Sequence, residues 1–66
     1  MQFAISLYKL RISHALTLTD VSNATKISVA SLSSYERGYY LPSIQNLCRL
    51  ADFFDVSVDT LLGRNN

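Results

Sequence analysis

The residues of this chain whose types and spacing can do chemistry gather in one run, SVASLSSYERG, residues 28–38. At helical periodicity Leu32 and Tyr35, at i and i+3, fall on the inward side. From Ser28 to Tyr35 the run carries no charge and no side-chain amide. Its chemistry is that of hydroxyls, which donate or accept a hydrogen bond, and of small apolar groups. Covalent chemistry finds no support elsewhere. There is no glycine-rich phosphate loop, no carboxylate pair placed for acid–base work and no nucleophile beside a base. His14 falls in the last turn of a helix, where a protonated imidazole suits the helix dipole, and this structural role is preferred to catalysis. Cys48 sits at the edge of an apolar face with only Arg49 beside it, and reads as a small buried hydrophobe rather than a reactive thiol. One cysteine and one histidine cannot complete the four-ligand shell of a structural zinc. No catalytic residue, metal or cofactor is expected, and an enzyme is the least favoured class.

Hydrophobic residues make up 48% of the 66 residues and charged residues 17%, the composition of a folded chain. One domain over residues 1–66 is expected. A core of this size is marginal, and without a disulfide or metal its support must come from helix packing and from a partner subunit. The first stretch, MQFAISLYKLRISHALTL, has Lys9 and Arg11 inside its apolar pattern, unlike a signal peptide. No run approaches the length of a membrane span, so the expected location is cytoplasmic with no membrane partner. Net charge is +1. Residues 1–40 hold Lys9, Arg11, Lys26 and Arg37 against Asp20 and Glu36, a net of +2. Residues 41–66 hold Arg49 and Arg64 against Asp52, Asp55 and Asp59, a net of −1. The asymmetry is mild.

The elements that must position these residues are all helical. Phe3, Leu7, Leu10 and Ala15 mark a first amphipathic helix over about residues 3–14. Thr17 can cap a second, about 18–25, with Asp20 completing a capping-box relative and Val21 and Ala24 inward. KIS is too short for anything but a tight turn. Ser28 can cap a third helix, about 29–36, which Gly38 ends as a C′ glycine. Pro42 biases Leu41 toward extended backbone. Ser43 caps a fourth helix, about 44–54, with Ile44, Leu47, Leu50, Ala51 and Phe54 on one face. Ser57 caps a last helix through Leu62, and Gly63 stops it. Five short helices with short connections predict a compact all-α domain.

Two short helices about a tight turn form a helix-turn-helix candidate. LYKLR, LTLTDVSNATKISVASLSSYERG, PSIQNLCRLADFF and DVSVDTLLG follow in this order. In these segments the chain resembles the Cro/repressor-type helix-turn-helix family, also called the xenobiotic-response-element family, over about residues 5–63. The resemblance implies a lambda-repressor-like domain of five helices, with helices 2 and 3 as the helix-turn-helix. It implies an ion pair, Arg11 with Glu36, tying the first helix to the end of the third, so Arg11 is structural and not a DNA contact. It implies that Thr17 caps a helix end facing a phosphate. It places Val29, Ala30, Ser33 and Ser34 toward base edges.

The chain departs from the family pattern at several positions. Leu18 stands where relatives carry a phosphate-binding glutamine, and Tyr39 and Tyr40 stand where relatives often have Lys or Arg. The base-facing positions lack the Arg, Lys, Gln and Asn that make bidentate contacts. Val29 and Ala30 can pack on thymine methyls. The hydroxyls of Ser28, Tyr39 and Tyr40 can bond phosphate oxygens alongside Thr17, Lys26 and Arg37. Ala15, Lys26 and Asp55 occupy turn positions commonly held by glycine. Either these turns keep positive φ, at about 1 kcal/mol each, or they are slightly rebuilt.

The expected function is a sequence-specific transcriptional regulator that binds double-stranded DNA as a homodimer on a two-fold site, with weak electrostatics. Phe53, Val58, Leu61 and Leu62 are the dimer candidates, Leu61 being the one most readily explained by core packing. The alternative is a protein-interaction module of the same fold, an accessory or antagonist of another regulator, docking a protein partner through Tyr39 and Tyr40.

Overall fold

In a computed structural model the chain is described over residues 2–64, and those residues form five helices and no strand. They are α1 (Gln2–Ser13), α2 (Leu18–Thr25), α3 (Val29–Glu36), α4 (Ile44–Phe54) and α5 (Val58–Leu61). Helices this short are unstable alone, and what defines them is their ends and their packing. Thr17 Oγ1 accepts the Asp20 backbone N–H at 3.0 Å while Asp20 Oδ2 accepts that of Thr17 at 2.9 Å, a complete capping box. Ser28, Ser43 and Ser57 each accept the N–H three residues on, from Ser31, Asn46 and Thr60. Each such cap contributes about 1 kcal/mol.

The C-terminal ends follow one geometry. At Ala15, Gly38, Asp55 and Gly63 the N–H bonds back three residues and the next N–H bonds back five, as in Leu16 to Arg11 O at 3.1 Å and Tyr39 to Ser34 O at 3.0 Å. This is the Schellman turn, and it needs a left-handed residue. Gly38 and Gly63 supply it at φ +79° and +76°. Ala15 and Asp55 adopt it at +55°, and Lys26 ends α2 at +64°. The three non-glycine turns are therefore kept left-handed, not rebuilt. Gly63 has a second reason to be glycine, because a Cβ there would strike the Gln2 side chain.

Phe3, Leu7, Val21, Ile27, Leu32, Tyr35, Leu50, Ala51, Phe54 and Leu61 form one buried cluster. Helix α3 packs on both α1 and α2, and α5 closes the far side against α1 and α4. The Phe3 and Tyr35 rings meet edge to face at 6.0 Å.

Five inward or outward assignments are corrected. Ala15 is exposed, because it is the left-handed residue of the turn rather than part of α1. Ala24 is exposed and Thr25 is buried instead. Thr25 is tolerated inside because its hydroxyl donates to Val21 O at 2.8 Å and accepts from the Ile27 N–H at 3.3 Å. Ile44 is exposed because it lies outside the side of α4 that Leu47, Leu50 and Ala51 turn to the core, and Cys48, one turn further on, is exposed with it. Leu61, offered above as a dimer residue, is fully buried in the core and has no surface to give a partner. His14 follows the last residue of α1, its Nδ1 lying 2.8 Å from Leu10 O. A carbonyl only accepts, so Nδ1 carries the proton in that bond. The His14 ring also lies edge-on to Phe54 at 5.3 Å. Among the described residues no helix is long and apolar enough to cross a membrane, and no three His, Cys, Asp or Glu side chains come together as a metal site.

Candidate nucleic-acid interface

Three interactions fix α3 relative to the rest of the domain. Lys26 turns the chain left-handed, its N–H bonding to Ser22 O at 2.8 Å. Ile27 is buried beneath the turn, anchoring it to the core. At the other end of α3, Glu36 receives two hydrogen bonds from Arg11, Nε to Oε2 at 2.7 Å and Nη2 to Oε1 at 2.9 Å. The third guanidinium nitrogen, Nη1, donates to Leu16 O at 2.9 Å. One side chain thus holds the end of α1, the α1–α2 connection and the end of α3. The two side chains are 13% and 10% exposed, so the pair is largely withdrawn from water. The hydrogen bonds it donates to Glu36 raise the Arg11 pKa above its ordinary value. The guanidinium also lies 5.5 Å from the Tyr8 ring centroid.

With Leu32 and Tyr35 buried, α3 turns Val29 and Ala30 outward and leaves Ser33 and Ser34 half-buried beside them. The Ser33 and Ser34 hydroxyls have no hydrogen-bond partner among the described residues. Ser28 is different: its hydroxyl accepts the Ser31 N–H and lies 2.9 Å from Ser31 Oγ, so it is engaged at the cap. Lys26 and Arg37 are exposed at the two ends of α3, and the face between them is uncharged. Thr17 is exposed at the start of α2, but the same helix end already holds the Asp20 carboxylate. The backbone N–H of Thr17, and then its side chain, hold that carboxyl below its ordinary pKa, so it is anionic near neutrality. Any phosphate at Thr17 would meet this charge. The α3 start has no acidic residue in its first turn.

Tyr39 and Tyr40 are both exposed. Tyr40 and Leu41 stand beside Ala30 and Ser34, forming one wall of an open groove of about 390 Å³ along α3. Beneath it, the Tyr35 hydroxyl accepts a hydrogen bond from Asn46 Nδ2 at 3.1 Å. Leu41 was missed by sequence reasoning, although the signal was there. A leucine before a proline, in a break between helices, has no helical face on which to be buried. A second groove, about 400 Å³, brings Lys26 to Arg49, Asp52 and Phe53. Of the dimer candidates, Phe53 is exposed, its ring edge-on to Phe54 at 4.9 Å, while Val58 and Leu62 are half-buried against the core.

This geometry can be compared with known proteins. The sequence model of the helix-turn-helix family matches residues 7–61. The chain is similar to the HTH-type transcriptional regulator DdrOP3 of Deinococcus deserti, 39% identical over 62 residues, 94% of this chain and 48% of the relative. It is similar to the cryptic phage CTXphi transcriptional repressor RstR of Vibrio cholerae, 38% identical over 48 residues, 73% of this chain and 43% of the relative. The HTH-type transcriptional regulator AnsR of Bacillus subtilis is 47% identical over 38 residues, 58% of this chain and 33% of the relative. The chain therefore spans from a third to about half the length of these relatives. A transcriptional regulator from Listeria innocua, known from its crystal structure, superposes with a TM-score of 0.88 at 31% identity, covering 98% of this chain and 61% of that one. The part-buried Arg11–Glu36 clamp, the turn at Lys26, the outward α3 and these likenesses together establish that the chain belongs to the Cro/repressor-type helix-turn-helix family.

Proposed function

We propose that this chain is the DNA-reading domain of a cytoplasmic, sequence-specific transcriptional regulator that binds two-fold sites as a homodimer. The observation that carries the reading is the presentation of α3. The helix is clamped at both ends, with Val29 and Ala30 exposed and the Ser33 and Ser34 hydroxyls without a partner among the described residues, on a face bracketed by Lys26 and Arg37. In this reading α3 enters the major groove, whose width admits a helix. Tyr39, Tyr40, Lys26 and Arg37 meet the flanking phosphates. Thr17 contributes less, because of Asp20, and Ser28 acts first as a cap. Phe53, with Val58 and Leu62, forms the dimer contact, placing two α3 helices about 34 Å apart, one turn of DNA.

Arg11 is committed to Glu36, so each subunit offers few free cations. With Lys9, Lys26 and Arg37 all engaged in both subunits, the salt slope is no steeper than about −5, well short of strongly electrostatic binders. The test is selection from a random duplex library at low salt, then anisotropy of the enriched duplex across a salt series. A two-fold motif with a slope in that range is expected. Failure to enrich any motif would refute the reading.

One observation favours a second reading. Tyr39, Tyr40, Leu41 and Ile44 are between 61% and 81% exposed and lie close in sequence, an apolar surface suited to a protein partner. A pull-down that returns one partner, lost in Tyr39→Ala/Tyr40→Ala, together with no duplex binding at low salt, would establish the domain as a protein-docking module.

A further inference from the structure

The groove along α3 has a chemistry distinct from the rest of the surface. Its six lining residues are Ala30, Ser31, Ser34, Tyr35, Tyr40 and Leu41, none of which carries a charge or an amide. Ala30 and Ser34 belong to the face of α3 assigned above to base edges. Tyr40 and Leu41 come from the connection to α4, beyond the helix-turn-helix itself. The Schellman turn at Gly38 brings that connection back along α3, with the Tyr39 N–H on Ser34 O at 3.0 Å.

A phosphate is a poor occupant, because its charged oxygens would sit among a methyl, an isobutyl group and a phenol ring with no cation in the lining. A guanine or adenine edge is also poor, since both call for a bidentate partner and the groove has only single hydroxyls. Among the features a base pair shows in the major groove, the C5-methyl of thymine is the apolar one, and it lies beside the O4 acceptor. We infer that this groove is a thymine-reading pocket, in which the C5-methyl packs against Ala30, Tyr40 and Leu41 while Ser34 Oγ donates to O4. Tyr40 and Leu41 then determine specificity and are not merely backbone contacts. The inference rests on the DNA-reading function proposed above and assigns that interface a base.

The test replaces thymine by deoxyuridine, one position at a time, in the duplex enriched by the selected protein. Deoxyuridine keeps O4 and removes only the methyl. At one position per half-site, wild-type affinity should fall about fourfold, the ~0.8 kcal/mol of one buried methyl. In Tyr40→Ala/Leu41→Ala most of that difference between the thymine and deoxyuridine duplexes should be lost, with Ala30 alone remaining against the methyl. Both side chains are more than 60% exposed, at 65% and 61%, and a thermal melt checks that the variant remains folded. If no deoxyuridine position weakens wild-type binding, the pocket is refuted while the DNA-reading function stands. If discrimination persists unchanged in the double variant, α3 reads the methyl alone and the assignment of Tyr40 and Leu41 is overturned. If no duplex is enriched at all, both readings fall together.

Discussion

Replacing Arg11 by methionine leaves the Glu36 carboxylate in a site where it is only 10% exposed, with both of its guanidinium hydrogen bonds gone. Breaking a buried pair from one side costs about 3–5 kcal/mol, and the residual exposure of this one places it near the lower end, ~3 kcal/mol. A 66-residue domain has a total stability of about 3–10 kcal/mol. The single change should therefore remove a third or more of it and lower Tm by roughly 12–24 °C. Replacing both partners, Arg11→Met with Glu36→Leu, leaves no buried charge behind. It still loses the Nη1 bond to Leu16 O, so it should fall about 1 kcal/mol below the wild type. Urea unfolding followed by circular dichroism, run as a double-mutant cycle, measures the interaction energy, expected at about 2 kcal/mol plus the loss shown by Glu36→Leu alone. A loss under ~1 kcal/mol for Arg11→Met, or a double variant as unstable as the two singles combined, would refute the clamp. The same double variant separates structure from recognition. Once folded it should keep wild-type affinity for non-specific duplex while losing discrimination, because α3 is no longer held in register, and an equal loss on every duplex would make Arg11 a DNA contact.

Further outcomes follow from the same geometry. Ala15→Gly should raise stability by about 0.5–1 kcal/mol, left-handed strain relieved less the added unfolded-state freedom, seen as a higher Tm. Leu61→Ala should cost about 2–5 kcal/mol and lower Tm by at least about 8 °C, whereas Phe53→Ala should keep Tm at low concentration and weaken self-association in sedimentation equilibrium. Asp20 is held below its ordinary pKa of 3.8 by the Thr17 N–H, so its stabilisation is present above that range and is lost as pH falls through it. Asp20→Asn should accordingly show a shallower loss of urea midpoint between pH 6 and pH 3, and an unchanged slope would remove the capping box as its cause. Val29→Ala with Ser34→Ala should weaken sequence preference in the duplex selection while leaving the melt unchanged, and fully retained preference would remove these two residues from the reading face.

Helix starts were legible because they are written in side-chain type. Thr17, Ser28, Ser43 and Ser57 can each receive an orphan backbone N–H, and each does. The large core residues were legible too, since Phe3, Leu7, Leu32 and Leu50 recur at helical spacing. What periodicity could not resolve was the small and the borderline. Ala24 and Thr25 compete for one inward position, and threonine takes it because Val21 O satisfies its hydroxyl. Ile44 and Cys48 fit an apolar face, but periodicity cannot say that their edge of that face lies outside the packed core. Leu61 is apolar whether it faces a partner or the core, and only the packing of α5 against α1 and α4 decides. The left-handed Ala15, Lys26 and Asp55 run against local preference, so family resemblance had to point to them. The groove at Tyr40 and Leu41 was invisible because it joins residues of α3 to a segment after Gly38.

An uncharged reading helix looks unsuited to DNA only if affinity is taken as the measure. Phosphate contacts strengthen specific and non-specific binding alike, so they leave the ratio between them almost unchanged. Contacts to a methyl or a base oxygen act only where that base is present. In this domain one potential cation, Arg11, is withdrawn into the clamp, and two exposed cations, Lys26 and Arg37, flank a face of valine, alanine and serine. Under the DNA-reading function, that arrangement lowers the affinity for any duplex while leaving the discriminating contacts in place. Each serine or methyl contact discriminates less than a bidentate arginine, so several must act together. Several can do so only if α3 is held rigidly in register, and the Arg11–Glu36 pair, the left-handed Lys26 turn and the Gly38 turn fix that register from both ends. The charge absent from the face of the helix is thus used to hold the helix in place.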